Sequence, residues 1–160
     1  MLKKMIVVAV GIALLSSVAS AAFYWPCNGK VTSIVGYRYD PISHARKFHN
    51  GTDIANSYGT RIGSMTSGKV SFAGWDRTGG GNSVCVQHAY GYKTFYAHMK
   101  SISVRRYQTI TAKQRVGYMG STGYSTGPHT HFIIWRYSTV KAPRAYAGQR
   151  VYSGARLYLR

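Results

Sequence analysis

Short runs of strand-forming residues, separated by stretches rich in Gly, Asn and Ser, limit the fold of this chain more than any other feature. Val, Ile, Thr, Tyr and Phe dominate these runs, and such residues favour extended strands over helices. The predicted strands are residues 29–37, 68–74, 82–88, 92–99, 115–119 and 131–136. Residues 79–82 and 89–92 are predicted turns, and the second joins two strands in a hairpin. We therefore expect an all-β fold with a mostly antiparallel sheet.

The charge of the chain is strongly one-sided. Its 160 residues include 21 Lys and Arg against three Asp, with no Glu, which gives a formal net charge of +18. Such a chain is attracted to polyanions, and nucleic acid, anionic membrane surfaces and acidic cell-wall polymers all qualify. Charge alone does not choose among these three classes of partner. The length is sufficient for one domain with a hydrophobic core.

The first 21 residues have the organisation of a secretory signal peptide. A basic start, MLKKM, precedes the apolar run IVVAVGIALLSSV, and Ala19-Ser20-Ala21 fits a small-x-small cleavage site. The alternative is an uncleaved N-terminal anchor. In either case we expect the remainder to be exported, to the periplasm or the extracellular cell wall, with no transmembrane span after processing. Export makes nucleic acid a poor physiological partner and favours anionic envelope polymers.

Residues 22–160 are expected to form a single domain with its core at about 30–136 and a basic extension at 137–160. The extension either covers the surface and contacts a polyanion or is a solvated tail. Cys27 and Cys85 are compatible with one disulfide in an exported protein, or with two separate thiols.

Two histidines one residue apart, in GPHTHF, begin the last predicted strand. If they are extended, His129 and His131 point to the same face of the sheet, roughly 6.5–7 Å apart. A second motif, FHNGTD, contains His49 and Asp53, which are both metal-competent side chains. An extended strand would hold these two roughly 13 Å apart, so a bend near Gly51 is needed to bring them to one ion.

A third motif, TFYAHM, contains His98 at the end of a predicted central strand. Alternation predicts that Thr94, Tyr96 and His98 share one face of this strand. The two remaining histidines, His44 and His88, have no such context, and we expect both to be structural.

Together these motifs resemble the lysostaphin-type, or LytM-domain, zinc endopeptidases, which hydrolyse peptidoglycan. The segments FHNGTDIA, GKVSFAG, YKTFYAHM and VGYMGSTGYSTGPHTHF have the order and spacing of that family. The resemblance covers about residues 30–136. It implies a LytM-like peptidase domain, a Zn²⁺ cofactor in a groove walled by loops, and peptidoglycan as the partner. Two departures are the lack of an acid soon after the last His and the strongly basic segment VRRYQTITAKQR.

By this resemblance His49, Asp53 and His131 bind zinc, and His98 and His129 are the catalytic histidines that do not bind it. Three protein ligands leave a position for water, as in catalytic rather than structural zinc sites. The chain has no Glu, so we expect a histidine to be the base that accepts the proton of the water. Which of His98 and His129 does so is left open by the sequence.

Two other functions are compatible with parts of the pattern. One is a catalytically inactive LytM-type module that binds the wall or activates an amidase, although all five family positions are occupied here. The other is an exported cationic polyanion-binding protein, which explains the charge but not the spacing of the histidines. The sequence therefore favours a secreted zinc endopeptidase acting on peptidoglycan stem peptides or crossbridges.

Overall fold

The computed structural model describes residues 22–160, in which nearly all regular structure is β-strand. The predicted signal peptide, residues 1–21, lies outside the described residues. The strands are β1 (Gly29–Ser33), β2 (Gly36–Tyr39), β3 (Arg46–His49), β4 (Thr52–Ala55), β5 (Arg61–Gly63), β6 (Gly68–Asp76), β7 (Gly81–His88), β8 (Tyr92–Tyr96), β9 (Met99–Ile102), β10 (Thr109–Ile110), β11 (Arg115–Met119), β12 (His129–Arg136), β13 (Thr139–Lys141) and β14 (Arg150–Val151). A 3-10 turn at Ala89–Gly91 joins β7 to β8. The predicted all-β class is confirmed.

Three sheets form the fold. The large sheet has the order β10-β6-β7-β8-β12-β4-β1-β14, and β13 pairs with β12. A three-stranded sheet has the order β5-β11-β9, and β2 and β3 form a separate hairpin. Neighbouring strands are antiparallel throughout, as predicted. The strands β8, β12 and β4 lie side by side in the middle of the large sheet, where both neighbours hold each strand in place.

The large sheet has two distinct faces. One, the core face, carries Tyr96 and Phe132, whose stacked rings lie 5.3 Å apart and are almost fully buried. The other, the open face, carries His131, Ile133 and Phe95, which line a cavity. Each strand supplies both faces because successive side chains of an extended strand point in opposite directions.

The core lies between the large and the three-stranded sheets. Ile62 and Val116 from the small sheet are buried in the same cluster as Tyr96 and Phe132. The backbone N–H of Met65 donates to Tyr96 Oη at 2.8 Å, so the hydroxyl buried in this core has a partner.

Residues 137–160 belong to the packed body. β14 pairs with β1, and the side chains of Val151 and Leu157 are each 3% exposed in the core cluster. Trp25, close to the start of the described residues, is buried in the same cluster. The packed core therefore extends beyond residues 30–136 at both ends.

The two cysteines are free thiols on opposite sides of the large sheet. Cys27 is fully buried in the core, whereas Cys85 is half-buried on β7, opposite Phe95 of the open face. Burial raises the pKa of the Cys27 thiol to about 12, so this cysteine behaves as a small apolar side chain. In residues 22–160, no helix has the length and apolarity that crossing a membrane requires.

Most predicted strands are present with shifted ends, and two predictions were wrong. Residues 29–37 form two strands, because β1 joins the large sheet whereas β2 turns away to pair with β3. The predicted shared face of Thr94, Tyr96 and His98 was also wrong. Strand β8 ends at Tyr96, and His98 has a left-handed backbone with φ of 60°. This turn directs the His98 ring to the cavity that the open face lines.

Candidate metal centre

Three side chains from separate strands converge on one point above the open face. His49 is the last residue of β3, while Asp53 on β4 and His131 on β12 are directly paired across the sheet. His49 Nε2 lies 3.1 Å from Asp53 Oδ1 and 3.0 Å from His131 Nδ1. His131 Nδ1 lies 2.8 Å from Asp53 Oδ1. The structure therefore brings the three predicted ligands together.

The bend that this convergence requires is at Gly51. A Cβ atom at this position would lie 2.6 Å from Cε1 and 2.8 Å from Nε2 of His131. Such contacts are too short for any side chain, so only glycine lets the His131 ring lie against this turn. The glycine in FHNGTD thus makes room for a histidine that lies 80 residues further along the chain.

The outward nitrogens of the two histidine ligands determine their tautomers. His49 Nδ1 lies 2.8 Å from the carbonyl oxygen of Ile34, and His131 Nε2 lies 3.1 Å from Asn50 Oδ1. Both oxygens are acceptors, so each outward nitrogen carries the proton and donates. The inward nitrogens, His49 Nε2 and His131 Nδ1, therefore present lone pairs to the shared point.

The donor set fits a divalent metal ion. Two imidazole lone pairs and one carboxylate oxygen lie about 3 Å apart, close to the edge of about 3.3 Å in a tetrahedron with metal–ligand bonds of about 2.0–2.1 Å. When both imidazoles are neutral, none of these three atoms carries a proton, so they form no hydrogen bonds with one another. Their mutual approach is therefore unfavourable unless a cation lies between them.

The Asp53 carboxyl is 6% exposed and remains ionised in this pocket. Burial would raise its pKa, but in the metal-free protein His131 and His49 outweigh burial and hold the pKa well below its ordinary value, because a proton taken up by an inward nitrogen is donated to the ionised carboxylate. Its second oxygen, Oδ2, accepts a hydrogen bond from Arg38 Nη2 at 3.1 Å. Arg38 thereby holds the carboxylate with Oδ1 directed at the histidines.

Two further histidines lie beside this point. The rings of His98 and His129 have centroids 4.6 Å apart, and His129 Nε2 lies 3.8 Å from Asp53 Oδ1. Their Nδ1 atoms each lie 2.8 Å from a carbonyl oxygen, that of Thr122 for His98 and that of Gly127 for His129. Both therefore donate outward from Nδ1 and keep an unprotonated Nε2.

The two histidines differ in burial. His98 is 7% exposed and has a left-handed backbone, a conformation that non-glycine residues seldom adopt outside constrained sites. Burial lowers the pKa of His98 to about 4, although its hydrogen bond to Thr122 acts in the opposite direction. His98 is thus a neutral imidazole at neutral pH and a potential proton acceptor.

Residues 47–143 match the profile of peptidase family M23. The chain belongs to peptidase family M23. The predicted membership in the lysostaphin-type family is confirmed, and with it the assignment to the metallopeptidases. The matched segment contains all five histidine and aspartate positions predicted for the site.

Relatives of this M23 chain include larger proteins. It is 39% identical to the DD-carboxypeptidase/endopeptidase Mpg of Neisseria meningitidis over 104 residues, which are 64% of this chain and 24% of that protein. It is 37% identical to the peptidoglycan DD-endopeptidase ShyA of Vibrio cholerae over 109 residues, 68% of this chain and 25% of that protein. The matched segments span about a quarter of these relatives.

A solved relative has a similar fold. The catalytic domain of the antimicrobial peptidase lysostaphin from Staphylococcus simulans superposes with a TM-score of 0.64 and 33% identity. The match covers 69% of this chain and 83% of that domain. The matched part of the M23 chain therefore has the fold of most of that catalytic domain.

The metal centre of the M23 chain lies in a cavity of about 790 Å³. Its walls are the tip of the β2–β3 hairpin, the β6–β7 turn and the loop before β12, and its floor includes Phe95 and Ile133. Tyr124 Oη donates to Asp40 Oδ1 at 2.8 Å and so links two of these walls. The predicted loop-walled groove is present.

All three acidic residues of the chain, Asp40, Asp53 and Asp76, line this cavity. The cavity is therefore the one place where a strongly basic protein concentrates negative charge. Arg38 and Arg77 line the same cavity and partly neutralise this charge, so Asp53, whose Oδ1 faces the two histidines, is the acid that a bound cation would contact.

The two histidines predicted to be structural lie elsewhere. His44 is exposed, and its backbone N–H donates to the carbonyl oxygen of Asp40. His88 is hydrogen-bonded to the carbonyl oxygen of Ser67 and to Thr94 Oγ1. Neither belongs to the metal-competent cluster found among the described residues.

Sequence reasoning missed Arg38 and Asn50, which hold Asp53 and His131 in orientation. Asn50 directly follows His49, so its position in the motif was a usable clue. Arg38 is one of 21 basic residues, and nothing in its local sequence distinguishes it. Its role depends on the β2–β3 hairpin folding over β4.

Proposed function

We propose that this chain is a zinc-dependent endopeptidase that hydrolyses peptide bonds in peptidoglycan stem peptides or crossbridges. One observation carries the proposal. The inward nitrogens of His49 and His131 meet one carboxylate oxygen of Asp53, and two further histidines, His98 and His129, lie beside this point in the same groove. That arrangement has the components for holding a metal and for accepting protons beside it.

His49 Nε2, Asp53 Oδ1 and His131 Nδ1 would hold the metal. Their two nitrogens and one oxygen are the donor set of catalytic zinc sites, which keep a coordination position for a non-protein ligand. Zinc, when bound, polarises a substrate carbonyl and makes water more acidic. Arg38 keeps Asp53 directed at this position through its other oxygen.

His98 and His129 would move the protons. Hydrolysis of an amide needs one group to accept a proton from the attacking water and another to donate a proton to the leaving amine. Both histidines present an unprotonated Nε2, so either can accept the first proton. The imidazolium that forms is stabilised by the carbonyl oxygen at its Nδ1 and, for His129, by Asp53 Oδ1 3.8 Å away.

The peptidoglycan substrate is proposed from the relatives and from the groove. Mpg is named as a DD-carboxypeptidase/endopeptidase and ShyA as a peptidoglycan DD-endopeptidase. A groove with a strand-built floor and three loop walls suits an extended peptide more than a compact ligand. We also propose export, from the pattern of residues 1–21, and attraction of the basic surface to anionic envelope polymers.

The test is digestion of purified peptidoglycan with the zinc-loaded protein, followed by mass spectrometry of the released muropeptides. We expect new amino and carboxyl termini at one type of peptide bond, and no such products from a His49→Ala variant. Stoichiometric zinc binding without hydrolysis would instead favour a wall-binding module. Glycan cleavage without peptide cleavage would contradict the proposal.

A further inference from the structure

Beyond the metal centre, the open face continues as an apolar row across four strands. Cross-strand pairing aligns Ile133 of β12 with Phe95 of β8, Phe95 with Cys85 of β7, and Cys85 with Phe72 of β6. Ile133 and Phe95 line the cavity, and Phe72 is 36% exposed at the far side. The floor of the groove is therefore apolar immediately next to the metal centre.

The following row is cationic. The same pairing aligns Trp135 with Lys93, Lys93 with Gln87, and Gln87 with Lys69, which we call the lysine–tryptophan row. Lys93 Nζ lies 4.7 Å from the centre of the Trp135 ring, and Lys69 Nζ lies 5.9 Å from that of Tyr107. These aromatic contacts restrain two ammonium groups that would otherwise be freely mobile.

The register places the two rows at definite distances from the metal ligand His131. Two residues along a strand advance by roughly 6.5–7 Å, so Ile133 is one step from His131 and Trp135 is two steps, roughly 13 Å, away. A peptide segment of four residues in extended conformation spans the same ~13 Å. A substrate lying along β12 would therefore reach Lys93, on the neighbouring strand β8, about four residues from the bond that is cut, whereas Lys69 on β6 lies three strands, roughly 14 Å, to the side.

The charge along this face is polarised. The three acids of the chain line the cavity at the metal centre, whereas the lysine–tryptophan row contains two lysines and no acid. In the described part of the chain, neither Lys69 nor Lys93 forms an ion pair. Both ammonium groups are thus available to a carboxylate supplied by another molecule.

From this geometry we infer that the lysine–tryptophan row is a substrate subsite for a carboxylate-bearing segment of an extended peptide. The inference rests on the proposed endopeptidase function and adds the chemical class of substrate that it prefers. The apolar row accepts small apolar side chains next to the scissile bond, and Lys93 binds an acidic group further along. Uncharged peptides such as polyglycine use only the metal end of the groove.

The test compares pairs of fluorescent peptides that differ by one group. Each pair carries either a side-chain carboxylate or the corresponding carboxamide four residues from the scissile bond, on one side of it or the other. Affinity is measured by fluorescence anisotropy with the zinc-loaded His129→Ala protein, which is expected not to consume the peptide, and kcat/KM is measured with the wild type. At low ionic strength we expect one carboxylate peptide to be favoured about threefold or more.

Lysine substitutions test whether the lysine–tryptophan row causes the preference for the carboxylate peptide. Lys93→Gln should bring the carboxylate-to-carboxamide ratio towards one, Lys69→Gln should lower it less, and Lys93→Arg should retain it. Lys100→Gln is the matched control, because Lys100 also lies over an aromatic ring, 5.0 Å from that of Tyr58, but outside the row. Raising the salt concentration should reduce the wild-type ratio, since the pairs are partly exposed.

The outcomes separate this inference from the proposed function. Equal affinities for both peptides of every pair would overturn the subsite even if all peptides were cleaved. Variants that change adsorption to sacculi but not the peptide ratio would also overturn it, by assigning the row to an anionic polymer. A preserved carboxylate preference without cleavage would support the subsite and contradict the endopeptidase proposal.

Discussion

The two faces of the large sheet are built from alternating residues of the same strands, yet they have opposite properties. On β12, Phe132 and Ile134 are each 1% exposed in the core, whereas the odd-numbered residues His129, His131 and Ile133 line the cavity. A shift of one residue in register would exchange the two sets. The register that builds the core therefore also positions the metal centre.

Contacts on the core face lower the free energy of the folded state, whereas contacts on the open face raise it when no metal is bound. The core face stabilises the fold, because it removes apolar surface from water and pairs its buried Tyr96 hydroxyl with Met65 N–H. The open face brings unprotonated nitrogens and a carboxylate together, which is unfavourable in the absence of a cation. Substitutions on the open face should therefore change chemistry, and substitutions on the core face should change stability.

The largest expected effect comes from His131→Ala on the open face. Loss of one of three ligands should remove stoichiometric zinc and lower the hydrolysis rate by about 10³-fold or more, since a metal contributes several kcal/mol to such reactions. The metal-free variant should unfold at a temperature close to that of the metal-free wild type. Zinc analysis, rates and thermal unfolding measure these three quantities. Full activity with normal zinc content would contradict the assignment of His131 as a metal ligand.

Its neighbour Phe132→Ala tests the other face. Truncating this fully buried ring should lower the free energy of unfolding by about 3–5 kcal/mol through lost burial and the cavity that remains. Denaturant titration of the zinc-free protein measures the change. The fraction that remains folded should still bind zinc, because the donor atoms belong to adjacent residues. A smaller stability loss than in His131→Ala would contradict the assignment of the two faces.

His129→Ala separates proton transfer from metal binding within the open face. We expect turnover to fall by about 10²–10⁴-fold, the range for a removed general acid or base. Zinc content should stay stoichiometric, because none of the three converging atoms belongs to His129. His44→Ala is the control, since His44 is exposed and outside the cluster. Parallel loss of zinc in His129→Ala would assign His129 to the ligand set.

Arg38→Gln should have a smaller effect, centred on metal affinity. Without the guanidinium, Asp53 Oδ2 loses its partner and the carboxylate loses its fixed orientation, which should weaken zinc binding about tenfold. Competition with a chromophoric chelator measures the affinity. Arg46→Gln is the matched control, because Arg46 lies on the same hairpin and contacts the Tyr37 ring rather than Asp53. Equal affinities of the two variants would remove Arg38 from the metal centre.

The smallest expected effect concerns His88 and pH. Burial lowers the pKa of His88 below its ordinary 6.5, so the unfolded chain binds this proton more strongly than the folded one. The stability that neutral His88 contributes is present above about pH 6.5 and is lost as the pH falls. We expect the unfolding free energy of the wild type to decline more steeply between pH 7 and 5 than that of His88→Gln. Equal declines of the unfolding free energy in the wild type and in His88→Gln would contradict the assignment of this pH dependence to His88.

The fold class was predicted because alternation and turn residues follow short-range rules, whereas the residues of the metal centre were assigned through the family resemblance. Alternation in HTHF placed His129 and His131 on one face, and the bend at Gly51 was required for His49 and Asp53 to meet. The remaining geometry of the site depends on pairing between strands that are far apart in the sequence. The register of β12 against β4, which aligns His131 with Asp53, is not encoded in either segment alone.

The errors have physical causes that local patterns do not contain. Residues 29–37 were predicted to be one strand because the local sequence does not indicate where the chain leaves the large sheet to form the β2–β3 hairpin. His98 was assigned to the face of Tyr96 because alternation assumes a continuous strand, and its left-handed backbone is maintained by surrounding contacts, including the bond from His98 N–H to the Gly80 carbonyl oxygen. Arg38 was missed because its partner lies on another strand.

The central claim is that three lone-pair donors on the open face hold one metal ion. X-ray diffraction of crystals of the purified, zinc-loaded protein, with data above and below the zinc absorption edge, tests it most directly. We predict one anomalous peak at the convergence of His49 Nε2, Asp53 Oδ1 and His131 Nδ1, about 2.0–2.2 Å from each atom. A map without a peak there, or with zinc bound only at other residues, would contradict the account.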